Sequence, residues 1–408
     1  MSSFSWLDHT DSERRRVLEA IDRMRERETR DELGFGSIRN AFADLFFPGT
    51  TVMQTRPRYF LFVPWLYQAL ARKPSARADI AAALRRAEHR MIETLIAAGE
   101  TDGVIGKRSR QRLLRTPSSI YWLGLRSWGV CRFQGIQDDF HRHFDRLAGG
   151  GEGERDDDGE LLGAASLATW DPHLPPAPAG FPDVLDLALV ASEAAYLRKR
   201  IVERCADSVL GVFARKSSFV DVANVWEHPG ISDLPPWQRD AVEHARLFAL
   251  VTHGATLLYV LMLNERLPAS DERDQRIQRL HGTLRSWGAE AREDVRLPAW
   301  ERDGCWRLVA ANGHLRPRTQ RFVDTWVERA LWTRQDGGVE DAWARQAVAE
   351  RERQLKGPRA RLVNRRALEL WNPAEGFSRL DYRWPTAQRH LSEIHHAMNG
   401  GKSHAGAA

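Results

Sequence analysis

The chain has 408 residues, of which 42% are hydrophobic and 28% are charged, and its formal net charge is +5. This length and balance exclude a disordered chain and leave room for two or three domains with buried cores. The three cysteines lie too far apart for a CxxC zinc or thiol-exchange site, and the first residues lack the apolar segment of a secretory signal. We therefore expect a folded, cytoplasmic protein that needs no cofactor.

Helical periodicity dominates the first 147 residues. Helices are predicted at 11–27, 38–46, 76–98, 117–128 and 136–147. The helix at 117 has clear boundaries, because Thr116 is a favoured N-cap, Pro117 suits the first helical position and Gly129 ends it. The alternating stretch from Thr50 to Tyr67 contains two prolines and allows a short strand, in a two-stranded piece at most.

A break in periodicity divides the chain. Residues 148–182 combine glycines, a run of acidic residues and several prolines, which predicts a linker or a long exposed loop. Beyond it, helices are predicted at 183–213, 237–265, 271–288, 317–334, 338–355 and 363–371. No alternation of strands and helices is present, so the predicted fold is mainly α, with helical units at 1–147 and 183–400 and a disordered tail at 401–408.

One apolar stretch bears on whether the protein enters a membrane. Residues Leu247 to Leu263 carry no Asp, Glu, Lys or Arg, but the stretch is shorter than the roughly 20 residues that span a bilayer. It also contains His253 and Gly254 near its middle. A helix that is apolar on all sides also suits the centre of a large domain, so we predict a buried core helix and no membrane association.

The positive charge is made almost entirely of arginine, since only six of the 60 cationic residues are lysines. This bias has two interpretations, codon usage in a GC-rich genome or the recognition of phosphates by guanidinium groups. From Val104 to Gln137 there is no acidic residue and there are seven cations, interleaved with Tyr121, Trp122, Trp128 and Phe133. The segment is typical of nucleic-acid backbone binding with stacked bases, unless Tyr121, Trp122 and Trp128 form the buried face of a helix.

Three further clusters contain charged or metal-ligating residues. A second basic run, Arg351 to Arg366, contains seven cations and one glutamate. Asp138, His141 and Asp145 share one face if they lie on a continuous helix, as in a hydrolytic metal site, or else they form a solvated polar face. His390, Glu393, His395 and His396 form a weaker cluster near the C-terminus. No phosphate-loop motif or GxSxG nucleophile is present, so the sequence does not decide whether the protein is an enzyme.

Several motifs extend over most of the chain: FSWLD, TRDELGFGSIR, FPGT, QTRPRYFLFVPW, RTPSSIYWLGL and LDYRW. On these motifs the chain resembles a bacterial family of unknown function. The resemblance implies genes that often lie near helicases and phage-defence components, and hence protein partners of the helicase type.

The glycines of TRDELGFGSIR permit a turn into a helix N-terminus, which is a natural anion site. The nearby arginines either converge on a phosphate or pair with Asp31 and Glu32 as a structural network. The candidate phosphate-contacting residues are Arg30, Arg39, Arg56, Arg58, Lys107, Arg108, Arg110, Arg112, Arg115 and Arg126. We therefore predict a DNA- or RNA-binding accessory component of a defence or DNA-processing system. The alternatives are a helical scaffold for partner proteins and a metal-dependent, nuclease-like enzyme.

Overall fold

A computed structural model describes residues 32–148, 169–216, 219–330, 341–373 and 378–400. Within these ranges the regular secondary structure is helical and no strand occurs, since the one antiparallel bridge, Cys131 to Trp170, is isolated. The helices are α1 Gly36–Phe46, α2 Tyr59–Ala71, α3 Pro74–Arg77, α4 Ile80–Ala97, α5 Pro117–Ser127, α6 Gln137–Arg142, α7 Phe144–Ala148, α8 Ala191–Arg204, α9 Val209–Arg215, α10 Pro236–Arg266, α11 Asp271–Glu293, α12 Arg302–Asn312, α13 Pro317–Ala330, α14 Ala342–Lys356, α15 Arg365–Glu369 and α16 Trp384–Met398. The mainly α prediction is confirmed.

The strand predicted between Thr50 and Tyr67 is wrong, because α2 begins at Tyr59. This helix is buried on all sides, and Pro64 lies inside it. Because α2 has no exposed face, its apolar residues do not recur with the helical period of 3.6 residues. The sequence therefore did not indicate a helix here.

Other differences concern helix boundaries. The helix predicted at 183–213 is two helices, α8 and α9, because Ser208 caps α9 by accepting a hydrogen bond from the backbone N–H of Gly211 at 3.1 Å. Helices α12 and α16 were not predicted from the sequence. The helix predicted at 11–27 lies outside the described residues.

The chain separates into two compact units, each drawn from two stretches of sequence. Unit 1 comprises 1–42 and 241–380, and unit 2 comprises 43–240 and 381–408. Most of the predicted linker, 149–168, lies outside the described residues, but its last part belongs to the packing of unit 2. There the indole N–H of Trp65 donates to the carbonyl of Pro175 at 2.7 Å. Within unit 2, the residues before and after the predicted linker therefore pack together.

The core of unit 1 is built around α10. By length and composition this helix could cross a membrane, but 89% of its most apolar stretch is buried in the protein. Two tryptophans are anchored on its backbone, since Trp287 donates to the carbonyl of Leu250 at 2.7 Å and Trp326 to that of Val251 at 3.1 Å. The stretch is thus buried in a helical core, as its sequence predicts.

The core of unit 2 is built around α2. The ring of Phe60 stacks on Trp128, with centroids 3.9 Å apart, and the Tyr121 hydroxyl donates to the carbonyl of Arg56 at 2.8 Å. Helix α16 returns to this unit and packs against α8. The result is a rigid aromatic layer that supports the loop between α4 and α5.

Candidate nucleic-acid interface

The loop between α4 and α5, residues 98–116, carries most of the predicted phosphate contacts. The core of unit 2 fixes the path of the loop, because the N–H of Ile105 donates to the buried Tyr59 hydroxyl at 3.1 Å. Gly106 adopts a φ of +81°, and a Cβ there would lie 2.8 Å from Leu113. The Arg85 guanidinium of α4 donates to the carbonyl of Leu113 at 2.9 Å. The loop is therefore held as a defined surface.

Four cations of this region face solvent and are named here the basic surface: Arg85, Arg108, Arg110 and Arg112. Among the described residues, Arg108 and Arg112 have no carboxylate within ion-pair distance. Arg110 pairs with the exposed Glu93 at 2.5 Å, a contact that contributes little to stability because water screens both charges. The guanidinium groups of Arg108, Arg110 and Arg112 are free, or readily freed, to contact phosphate oxygens. Arg85 is held by its bond to Leu113 and adds positive charge beside them.

The remaining cations of the segment are more constrained. Lys107 donates to the carbonyl of Thr101 at 2.9 Å. Arg115 is half-buried and its guanidinium lies 3.1 Å from the sulfur of Met53. Arg126 is also half-buried, at the C-terminal end of α5. They add positive charge to this region but have less freedom to reach a ligand.

The predicted stacking of bases on Tyr121, Trp122 and Trp128 is wrong, and the fourth aromatic, Phe133, is half-buried against Phe140. Tyr121, Trp122 and Trp128 are at most 6% exposed and form the buried face of α5. A stacking platform needs an accessible aromatic face. The interleaving of cations and aromatics in the sequence thus reflects the two sides of one amphipathic helix.

Helix α5 begins at Pro117, as predicted, but its cap differs from the prediction. The Thr116 side chain makes no capping hydrogen bond, and the N–H of Ser118 donates instead to the Glu88 carboxyl of α4 at 2.6 Å. Burial raises the pKa of Glu88 to about 7, and hydrogen bonds from Ser118 and Thr116 oppose this rise. A titratable group therefore joins α4 to α5 at the end of the loop.

This arrangement predicts a pH dependence. The pKa of Glu88 is higher in the folded chain than its usual value of 4.5. Its favourable contribution to the free energy of unfolding is therefore complete below pH 4.5 and is lost as the pH rises through 7. Relative to Glu88→Gln, wild-type protein should lose about 3 kcal/mol of unfolding free energy over this window. Urea unfolding at several pH values measures the difference. The control, Glu93→Gln at an exposed position of α4, should follow the wild-type profile, and a constant difference for Glu88→Gln would contradict the assignment.

Arg56 and Arg58 do not belong to the interface. Arg56 is 2% exposed and pairs with Glu393 at 2.7 Å, while Arg58 is 5% exposed and pairs with Asp186 at 2.6 Å and Glu193 at 2.9 Å. Groups this deeply buried are held by the carboxylates and are out of reach of a backbone phosphate. The structural-network interpretation holds for them, with partners distant in sequence in place of Asp31 and Glu32.

Two candidates remain, Arg30 and Arg39. Arg30 is outside the described residues. Arg39 lies on α1 and its guanidinium bonds to the side chain of Asn40 at 3.3 Å. The sequence alone grouped these arginines with the loop, whereas Arg39 belongs to unit 1 and the loop belongs to unit 2.

The second basic run divides between core and surface. Arg351 is 2% exposed, and Lys356 and Arg361 pair with Glu32 in a buried network. Arg365 remains exposed and pairs with Glu369 at 3.1 Å. The run therefore does not form one continuous interface.

The interpretation of Asp138, His141 and Asp145 as a hydrolytic metal site, one of the two that the sequence left open, is wrong. Helix α6 ends at Arg142 and α7 starts at Phe144, so the three side chains do not share one helical face. The His141 ring bonds to the Tyr67 hydroxyl at 2.6 Å, and Asp145 lies 3.4 Å from Arg77. Across the described ranges, no three His, Cys, Asp or Glu residues are placed to hold a metal ion. The nuclease-like alternative loses its proposed ligands.

The C-terminal cluster is likewise dispersed on α16. His390 is fully buried against Phe60 and Trp128, and burial lowers its pKa to about 3. Burial also raises the pKa of Glu393 to about 7, although its pairing with Arg56 opposes the rise. These groups belong to the core of unit 2.

Comparisons with known proteins support the motif resemblance. A family model described as a family of unknown function, DUF6361, matches residues 1–398. No curated protein and no solved structure matches the chain. Function is therefore inferred from the residues of this chain.

Proposed function

Because the chain belongs to the DUF6361 family, whose function is unknown, we propose a function from its own surface: sequence-independent binding of DNA or RNA through the phosphate backbone. The observation that carries the proposal is the basic surface, where a loop anchored on the core presents arginines in a segment of 34 residues that contains no acidic residue. Arginine is well suited to this role, because its planar fork can contact two phosphate oxygens at once.

The geometry also restricts how the chain binds. Tyr121, Trp122 and Trp128 are buried and Phe133 is half-buried, so none of the four aromatics of this segment offers a fully accessible face to an unstacked base. Contacts to phosphates fix position and orientation but carry no direct sequence information. We therefore expect similar affinities for duplexes of unrelated sequence and no strong preference for single strands.

The test is a fluorescence-anisotropy titration against duplex DNA, duplex RNA and single strands at several salt concentrations. Wild-type affinity should fall steeply with salt, because each neutralised phosphate releases counterions. The double variant Arg108→Ala/Arg112→Ala should bind about tenfold more weakly at low salt, and the slope of log affinity against log salt should become shallower by about 2.

The matched control is Arg365→Ala/Arg366→Ala, which removes the same charge from exposed positions of α15. It should bind nearly as well as wild type. Equal losses in the two double variants would show that net charge alone governs binding, and undetectable binding by folded wild-type protein at low salt would refute the proposed function.

We place this activity in an accessory component of a bacterial defence or DNA-processing system, on the strength of the motif resemblance. The expected partners are helicase-type proteins that associate at least partly through bound nucleic acid. A pull-down of the tagged protein from its host, with and without nuclease, distinguishes this arrangement from the scaffold alternative. Partners that persist undiminished after nuclease would favour the scaffold.

A further inference from the structure

Unit 1 contains an arginine-lined cleft that the proposed function does not use. It lies between the N-terminal end of α13 and the C-terminal half of α14, and its volume is about 480 Å³. The polar part of its lining consists of Arg316, Arg318, Thr319, Arg321, Arg351 and Gln354. A volume of this size accommodates a nucleotide. The other cavity of note, in unit 2, has about 20 Å³ and holds no more than a water molecule.

The cleft carries positive charge without a matching carboxylate in its lining. The side chains of Arg316, Arg318 and Arg321 are exposed and form no ion pair with any residue that the structure describes. The acidic residues Asp324 and Glu328 farther along α13 are engaged elsewhere, at 3.1 and 3.0 Å from the guanidinium of Arg302. Like charges held together repel, so a bound anion would relieve an unfavourable arrangement.

One wall of the cleft is rigid. Arg351 is 2% exposed, and its guanidinium donates to the carbonyl of Leu33 at 2.9 Å and to the Thr319 hydroxyl at 2.6 Å. It also lies over the ring of Phe322, 5.5 Å from the centroid. Gly34 has a φ of +77°, and a Cβ there would lie 2.6 Å from the Arg351 guanidinium. Because the Arg351 side chain is already fixed, it loses little conformational entropy when a ligand binds beside it.

The glycine turn of TRDELGFGSIR thus has a definite place in unit 1. The sequence suggested that this turn would itself bind an anion at the start of α1. Instead, Gly34 and the carbonyl of Leu33 support Arg351, and the helix that starts at the cleft is α13. Its N-terminal end adds a partial positive charge to the four guanidinium groups.

We propose that this cleft binds a phosphate group of a nucleotide-sized ligand. Arg318 and Arg321 lie one turn apart on α13 and can hold the phosphate oxygens from one side, while the positive charge of Arg351 acts from the α14 side. Gln354 and Leu355 supply an amide and an apolar surface for the rest of the ligand. The ligand is either a free nucleotide or the phosphorylated end of a nucleic acid, which share this chemistry. The site is separate from the basic surface, and neither proposal depends on the other.

The test is isothermal titration calorimetry of the full chain with pyrophosphate, with a nucleoside triphosphate, and with oligonucleotides that carry a 5′-phosphate or a 5′-hydroxyl. Wild-type protein should bind pyrophosphate and at least one of the larger probes. Arg318→Ala/Arg321→Ala changes exposed side chains and should fold normally. It should lose about 100-fold or more in affinity, since each lost charge-assisted hydrogen bond costs about tenfold.

The control variants separate this site from the basic surface and from general charge attraction. Arg365→Ala/Arg366→Ala in unit 1 and Arg108→Ala/Arg112→Ala in unit 2 should keep wild-type affinity for pyrophosphate. A preference for the 5′-phosphorylated oligonucleotide that disappears in Arg318→Ala/Arg321→Ala identifies a nucleic-acid end as the ligand. Binding of the triphosphate without that preference identifies a free nucleotide.

Three results would overturn the proposal. They are no binding of any phosphorylated probe by folded protein, unchanged binding in Arg318→Ala/Arg321→Ala, and equal affinity for sulfate and pyrophosphate. Each of these results can be interpreted whether or not duplex DNA binds to the basic surface.

Discussion

Glu352→Ala is expected to destabilise unit 1 by about 3–5 kcal/mol, because it removes the shared acceptor of a buried polar network. The Glu352 carboxylate is fully buried and accepts hydrogen bonds from the Tyr259 hydroxyl at 2.5 Å and from the backbone N–H groups of Arg361 at 2.9 Å and Leu362 at 3.0 Å. Lys356 lies 3.2 Å from it. Without the carboxylate, the two backbone N–H groups lose their acceptor in the interior, and Tyr259 and Lys356 keep only Glu32.

Urea unfolding followed by circular dichroism measures this loss. Glu352→Gln should have an intermediate effect, since an amide keeps one acceptor oxygen but cannot accept on its nitrogen. Glu350→Ala on the same helix removes only a hydrogen bond from Gln346 at the surface and should change the unfolding free energy by less than about 0.5 kcal/mol. Equal effects at positions 350 and 352 would contradict the role given to the network.

Two glycines in helices of unit 1 are expected to respond to alanine in opposite directions. A Cβ at Gly254 of α10 would lie 2.1 Å from the Trp287 ring of α11, so Gly254→Ala must displace the indole from its bond to the carbonyl of Leu250. Overpacking of this kind and the lost hydrogen bond should cost about 3 kcal/mol. At Gly282 of α11 no atom lies within 4 Å of such a Cβ, and alanine should stabilise the helix by about 0.5–1 kcal/mol.

Thermal unfolding and tryptophan fluorescence check this pair. Gly254→Ala should lower the melting temperature and shift the emission, whereas Gly282→Ala should raise the melting temperature and leave the emission unchanged. If both substitutions stabilise the protein, the close approach of α10 and α11 is not as described.

The arginines of this chain have two distinct roles. Arg58 and Arg351 are buried and held by oxygen atoms of the protein, so the fold itself requires them. Arg108, Arg112 and Arg318 are exposed, without an ion pair in the described ranges, and can be changed without loss of the core. Codon usage can account for the abundance of arginine, but it does not distinguish these two environments.

The sequence by itself determined the helical class and the positions of most of the helices, although α12 and α16 were not predicted. The start of α5 at Pro117, its end before Gly129 and the burial of Leu247–Leu263 were all predicted. The boundaries of α5 depend on local backbone chemistry, and the burial of Leu247–Leu263 follows from a continuous apolar run that is too short to span a bilayer. For α2, which has no polar face, helical periodicity was missing.

Only the tertiary structure decided which charged residues are available to a ligand. Arg56 is removed from the surface by Glu393, and α5 is capped by Glu88 of a preceding helix. The arginine cleft likewise depends on Arg351, which comes near Arg318 and Arg321 only through the packing of α14 on α13. The composition of a chain determines how many cations it has. Their burial and pairing depend on residues far apart in sequence, which are brought together only when the core forms.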